Sequence, residues 1–259
     1  MISWVTAAVA GAAGLVVGDY ATVVIERAPA DRTVSGSLRE LGRHPAGECP
    51  RCAVGLRAAD LIPLAGWVRT GGICRDCGQR FGAWHPAAEI LTALLFALIG
   101  LRFGASPVLP AFCYLAAVSV ALAFIDVAHR RLPDVLTLPS YPVAIAALGV
   151  ATPFVPRGAG HLIDAAIGLA CASAFYLILA LVYPVGIGWG DVKLSGLLGL
   201  YLGWVGLRAL VIGVAAGFVL AAVAGLALIA AGKATGKSQL AFGPFMLAGS
   251  LTVIIAAGL

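Results

Sequence analysis

Residues 207–231 read LRALVIGVAAGFVLAAVAGLALIAA, a run whose one charge is Arg208, near its start. An α-helix rises about 1.5 Å per residue and the hydrocarbon core of a bilayer is about 30 Å thick, so roughly 20 apolar residues cross it. This run is long enough. Working outward, comparable runs lie at about 2–25, 87–104, 107–125, 135–156, 161–185, 192–206 and 240–258. By hydropathy these make about eight transmembrane helices. The run at 192–206 is short and reads as a broken or re-entrant helix, parted from its successor only around Gly203–Arg208.

The composition agrees with the runs. Of 259 residues, 61% are hydrophobic and 11% charged, with a mean hydropathy of +1.00. Soluble domains have about 45–50% apolar and about 25% charged residues. An ordinary soluble enzyme, a disordered tail and a secreted disulfide scaffold are excluded. The expected fold is an all-α integral membrane protein in three parts: a first helix over 1–25, an insert over 26–86 and a polytopic core over 87–259. Gly14-x-x-x-Gly18 and Gly199-x-x-x-Gly203 have the spacing that lets membrane helices approach closely.

Charge sets the expected orientation. Nine arginines fall within 26–86, and of the 17 basic residues only Arg102, Arg157 and Arg208 belong to the opposite side of the alternating runs. Lys and Arg concentrate in cytoplasmic loops. The insert is therefore expected in the cytoplasm and the N-terminus outside. The first run has no basic segment before it and reads as a retained helix, not a cleaved signal. The net charge of +5 follows from this topology, and six acids interleave with the insert's arginines, so no nucleic-acid partner is expected.

Four of the six cysteines lie in the insert, as Cys49-Pro50-Arg51-Cys52 and Cys74-Arg75-Asp76-Cys77. Two such pairs about twenty residues apart have the spacing of a zinc ribbon. Pro50 and Gly78 favour the turns that aim two sulfurs at one ion. Four thiolates complete a tetrahedral shell, so Cys49, Cys52, Cys74 and Cys77 are expected to hold a structural zinc that supplies folding free energy to an insert poor in large apolar residues. A pair of disulfides is the other reading, disfavoured by a reducing cytoplasm. Cys113 and Cys171 lie inside apolar runs and read as packing residues. His44 and His85 flank the ribbon as surface or interfacial groups; His129 and His161 carry no assignment.

Acids at the ends of membrane runs are costly enough to imply function. The candidates are Asp19, Glu89, Asp126, Asp134, Asp164 and Asp191. Asp164 reads as a solvated helix-start acid on the outer side. Asp126 ends the third run and Asp191 opens the sixth, so both reach the cytoplasmic interface. Gly186, Gly188 and Gly190 leave the backbone before Asp191 bare, open to an extended peptide. No Gly-Lys-Ser/Thr ending follows, which argues against a phosphate cradle. Two carboxylates brought together can share one proton, the ionised one activating water and the protonated one donating to the oxyanion. The bland reading makes each a helix cap or an interfacial charge.

Gly188-Trp189-Gly190-Asp191-Val192-Lys193-Leu194 with Gly199, Phe124-Ile125-Asp126 with Leu132-Pro133-Asp134 and Thr137-Leu138-Pro139, Phe242-Gly243-Pro244-Phe245, and the paired cysteines around Ile62-Pro63-Leu64 occur in one order. In these residues the chain resembles the type IV prepilin peptidases, membrane aspartic proteases of the Gly-x-Gly-Asp class, from about residue 14 to 250. The resemblance implies a multi-pass protein of the bacterial inner membrane that cuts the basic leader from prepilins or pseudopilins at the cytoplasmic face. It implies Asp126 and Asp191 as the catalytic pair. Gly188, Gly190 and Lys193 join them in the active-site loop, Lys193 either steering a substrate carboxylate or snorkelling. Many members also methylate the new N-terminal amine with S-adenosylmethionine. Gly18-Asp19-Tyr20-Ala21-Thr22 and Asp60-Leu61-Ile62-Pro63 depart from the family at two amide positions, so a peptidase without methyltransferase activity is the alternative. Glu89 is kept, as a cofactor-binding residue or a partner of Arg27. A proton-coupled transporter, the rival outside this family, would carry its acids near the membrane midplane.

Overall fold

The computed structural model describes residues 2–27, 48–49, 52, 54–183, 186–233, 235 and 240–257; His44 and Pro50 lie outside them. Eight helices carry the fold: α1 (Ile2–Arg27), α2 (Trp84–Phe103), α3 (Leu109–His129), α4 (Asp134–Ala151), α5 (Gly158–Val182), α6 (Trp189–Val205), α7 (Leu207–Ala230) and α8 (Gly243–Ala256). Six of them, all but α6 and α8, are long and apolar enough to cross a membrane. The molecule is a multi-pass helical membrane protein.

The two short helices are short for different reasons. Every residue of α6 from Leu194 to Trp204 is buried. A helix apolar on all sides belongs inside its neighbours rather than against lipid, so α6 need not match the bilayer thickness. It ends at Gly206, whose φ of 144° favours glycine and breaks the chain before α7. That glycine resolves the indistinct joint between the sixth and seventh runs. Helix α8 starts late because Gly243-Pro244 opens it; Pro at a first helical position loses no hydrogen bond.

Both glycine spacings lie at helix crossings. A Cβ on Gly14 would fall 2.7 Å from Ala93 Cα, and one on Gly18 would fall 2.7 Å from Glu89 Cα. Helix α1 thereby lies against the backbone of α2. Gly199 and Gly203 do the same for α6 on α5, with a Cβ at 203 landing 2.9 Å from Ala165 Cα. Trp204, Tyr201, Phe112 and Leu115 fill the interior between these pairs.

The insert folds as a zinc-ribbon-like unit. Isolated bridges pair Glu48 with Gly55 and Ile73 with Arg80, closing one knuckle around each cysteine pair. Cys49 donates its N–H to Val54 O at 3.0 Å, and Cys74 to Gln79 O at 2.8 Å. Gly78, at φ 69°, takes the left-handed turn beneath the second pair. A short helix, Ala65–Thr70, lies between the two cysteine pairs in the chain.

Candidate active site

The ends of α1, α3, α5 and α7 and the starts of α2, α4, α6 and α8 meet at the end of the bundle that carries the insert. Asp126, in the last turn of α3, is only 5% exposed. Helix α3 closes just beyond it, where Arg130 adopts the left-handed conformation (φ 53°) and gives its N–H to the Asp126 carbonyl at 2.7 Å. Buried charge needs donors. The Asp126 carboxylate takes one from the first residue of α8, accepting the Gly243 N–H at 3.1 Å. A Cβ on Gly243 would lie 2.7 Å from that same oxygen, so any larger residue there must displace the carboxylate.

Asp191 occupies the first turn of α6, where an acid meets the positive end of the helix dipole. Its carboxylate accepts the Gly188 N–H at 3.0 Å. The cap expected of an acid at a helix start is therefore real. It occupies one oxygen and leaves the group close enough to Asp126 for their charges to interact. Tyr176 of α5 also lies within electrostatic reach of Asp191, and its ring stacks on Phe218, at 5.7 Å between centroids, beside Phe242.

Leu132, in the connection between α3 and α4, ties the two acids' surroundings together. Cβ positions on Gly190 and Gly243 would lie 3.0 Å and 3.4 Å from its side chain. One leucine thus packs against both helix starts. Lys193 is paired here: its Nζ sits on both oxygens of Asp134, at 2.7 and 2.8 Å. The Tyr141 hydroxyl donates to the Lys193 carbonyl. These bonds tie α6 to α4 within one turn of Asp191. Asp134 is a candidate acid by its place at a membrane-run end, and Leu132 and Gly243 lie inside the family-like motifs, but nothing local in the sequence marks the contacts they make, and Tyr176 has no signal beyond being an aromatic in an apolar run.

The other predicted residues form two further groups. The sulfurs of Cys49, Cys52, Cys74 and Cys77 all lie within 4.8 Å of one another, a cluster that could hold a metal. Backbone N–H groups of Cys77 and Asp76 hold the Cys74 thiol down at about 7. Glu89 stands apart from the aspartates. It is 4% exposed and accepts the Leu64 N–H at 2.6 Å, docking the insert on α2. The Arg27 side chain lies outside the described residues. Above Glu89 a cavity of about 300 Å³ opens between the insert and the ends of α1 and α2. His85, a flanking histidine without a predicted role, borders it and meets Glu26 at 3.0 Å.

Residues 12–103 match the bacterial peptidase A24 N-terminal domain, and residues 113–256 match the type IV leader peptidase family. The chain is 31% identical over 208 residues to the prepilin leader peptidase/N-methyltransferase of Bacillus subtilis, covering 80% of each chain. It is 30% identical over 253 residues to the protein of that name from Pseudomonas aeruginosa, covering 90% of this chain and 84% of the relative. No solved structure matches.

Proposed function

Because the chain belongs to the type IV leader peptidase family, we propose that it removes the leader of prepilins or pseudopilins with Asp126 and Asp191 as its catalytic pair. One observation supports this above others: two carboxylates from different helices lie at the insert end near enough for the charge of Asp126 to act on Asp191, and each accepts a backbone N–H. Like charges this close hold one proton between them more readily than none. The ionised carboxylate takes a proton from water as the water attacks the scissile carbonyl. The protonated one gives its proton to the oxygen that becomes negative. Gly188 and Gly190 leave room for an extended chain beside Asp191, while the apolar part of a prepilin stays in the bilayer.

The insert end faces the cytoplasm of the bacterial inner membrane in this proposal, with the N-terminus outside, because the basic residues gather there. In this proposal the chain divides into a first helix over 1–25, a zinc-binding insert over 26–86 and a membrane peptidase core over 87–259. The four cysteines hold a structural zinc. Zn–S bonds of about 2.3 Å make a tetrahedron with edges of about 3.8 Å, and Cys49–Cys77 and Cys52–Cys74 stand 3.7 and 3.9 Å apart. With all four positions taken, zinc enters no step of the cleavage.

The relatives' shared name also contains N-methyltransferase. For this chain we propose methylation of the new N-terminal amine, with S-adenosylmethionine supplying the electrophilic methyl group.

Co-expression with a prepilin, followed by intact-mass measurement, tests the pair. Asp126→Asn and Asp191→Asn should each insert normally yet lower cleavage by about a thousandfold or more, the scale of losing a positioned acid or base. Wild-type processing by either variant overturns the proposal.

A further inference from the structure

Between α3 and α4 the chain runs Leu132-Pro133-Asp134, and the three side chains play different parts. Leu132 makes the contacts. A Cβ on Gly190 would lie 3.0 Å from the Leu132 Cβ and 3.4 Å from its Cδ1, whereas one on Gly243 would lie 3.4 Å from its Cδ2. The two methyls of one side chain therefore rest against two different helix starts. Gly190 directly precedes Asp191, and the Gly243 N–H binds the Asp126 carboxylate. A shift of either methyl reaches one acid through a single residue.

The other two residues keep Leu132 in place. Asp134 holds the Lys193 Nζ with both oxygens, at 2.7 and 2.8 Å, two residues beyond Asp191. Pro133, at φ −70° and ψ 130°, caps α4 in an extended conformation, and its carbonyl accepts the N–H groups of Leu136 and Thr137, each at 3.1 Å. A proline ring fixes φ, so the backbone between the leucine and the anchored acid has little freedom. On the other side, the Arg130 N–H closes α3 on the Asp126 carbonyl. Leu132 thus rides on a short connection tied at both ends. Close-packed interiors pass small displacements on instead of absorbing them.

We infer that Leu132 is a positioning residue that sets the separation of the two catalytic carboxylates, held as a spacer between the starts of α6 and α8 by Pro133 and the Asp134–Lys193 pair. This rests on the catalytic pair proposed above and adds what fixes its spacing. With no polar atom, the leucine side chain acts on the acids through distance alone. A smaller side chain lets the helix starts approach, and a larger one drives them apart. The other titratable groups around the pair are the Tyr176 phenol from α5 and the Asp134–Lys193 pair from α4 and α6. His129, Arg130 and Arg131, at the end of α3, are exposed, and α8 presents the Gly243 amide. Substitution at 132 changes none of these groups.

The pH dependence of kcat/KM reads the separation. Two acids sharing one proton give a bell whose limbs lie further apart the closer the charges are. Initial rates of prepilin cleavage by the full-length protein in detergent should give such a bell. Leu132→Ala should widen it by about half a pH unit and Leu132→Phe should narrow it by about as much. That is the change about 1 Å of movement makes between two charges at an interior dielectric. Both variants should lower kcat by about tenfold to a hundredfold. Leu132→Met, similar in volume, should keep the wild-type width. Leu132→Val should fall between alanine and wild type, which preserves the ordering if the phenylalanine variant does not accumulate. A loss of rate with the bell unchanged makes Leu132 a packing residue only and overturns the inference. So does a shift in the same direction for smaller and larger side chains. The asparagine variants of Asp126 and Asp191 separate the two failures: if they stop cleavage while the size series leaves the bell unmoved, the pair stands and only the spacer falls.

Discussion

At the scale of single residues, the glycine that opens α8 matters as much as the acid it serves. Gly243 gives Asp126 a hydrogen bond, and an added Cβ there would meet Oδ2 at 2.7 Å and displace the carboxylate. Overpacking of this kind costs about 1–3 kcal/mol, and a carboxylate moved by about 1 Å can lose about a hundredfold in rate. Gly243→Ala should therefore insert and remain folded, while cleavage falls by about a hundredfold in a timed processing assay. Near-normal cleavage would show that Asp126 tolerates displacement. Asp126 and Asp191 were legible from their neighbours in the chain. The Gly243 amide was not, because 117 positions separate donor from acceptor and no local pattern encodes such a contact.

At the scale of elements, the insert depends on its cysteine knuckles. Among its described residues it shows two isolated bridges, a 3-10 turn at Ala58–Asp60 and one six-residue helix, and in the proposed zinc ribbon a bound metal would supply much of its folding free energy. Metal binding needs thiolates. Within the cluster backbone N–H groups hold the Cys74 thiol low while desolvation and the neighbouring sulfurs push Cys52 up, and protons compete with a metal for all four sulfurs. Zinc release followed with a chromophoric chelator should accordingly be slow at pH 8 and rapid near pH 5, and Cys49→Ser should release zinc at both. A release rate independent of pH would remove thiolate ligation. The spacing of the cysteines announced this unit, and the turn at Gly78 followed as expected. The docking of the insert through Leu64 and Glu89 did not, because a backbone N–H leaves no mark in a sequence.

At the scale of the whole molecule, alternation of eight helices brings the insert, both aspartates and the cavity to one end. Charge asymmetry is the basis for the proposed inward orientation of that end. In intact cells a membrane-impermeant maleimide should label Ser106→Cys, in the turn between α2 and α3, and should reach Lys233→Cys only after permeabilisation. The opposite pattern would invert the protein and put the aspartates outside. Six helices are long enough to cross unaided. Helix α6 is instead enclosed, which explains why its apolar run was short: helices that face protein rather than lipid are free of the bilayer's length requirement.

Sequence alone determined the membrane class, the order of the helices, the cysteine unit and the two candidate acids, because hydropathy, charge bias and ligand spacing are properties of neighbouring residues. Tertiary structure decided what each acid touches. It paired Lys193 with Asp134, set Leu132 between two helix starts, placed Glu89 under the insert and enclosed an acidic cavity. Those outcomes depend on which helix ends converge, and convergence is set by packing between glycine-lined faces far apart in the chain.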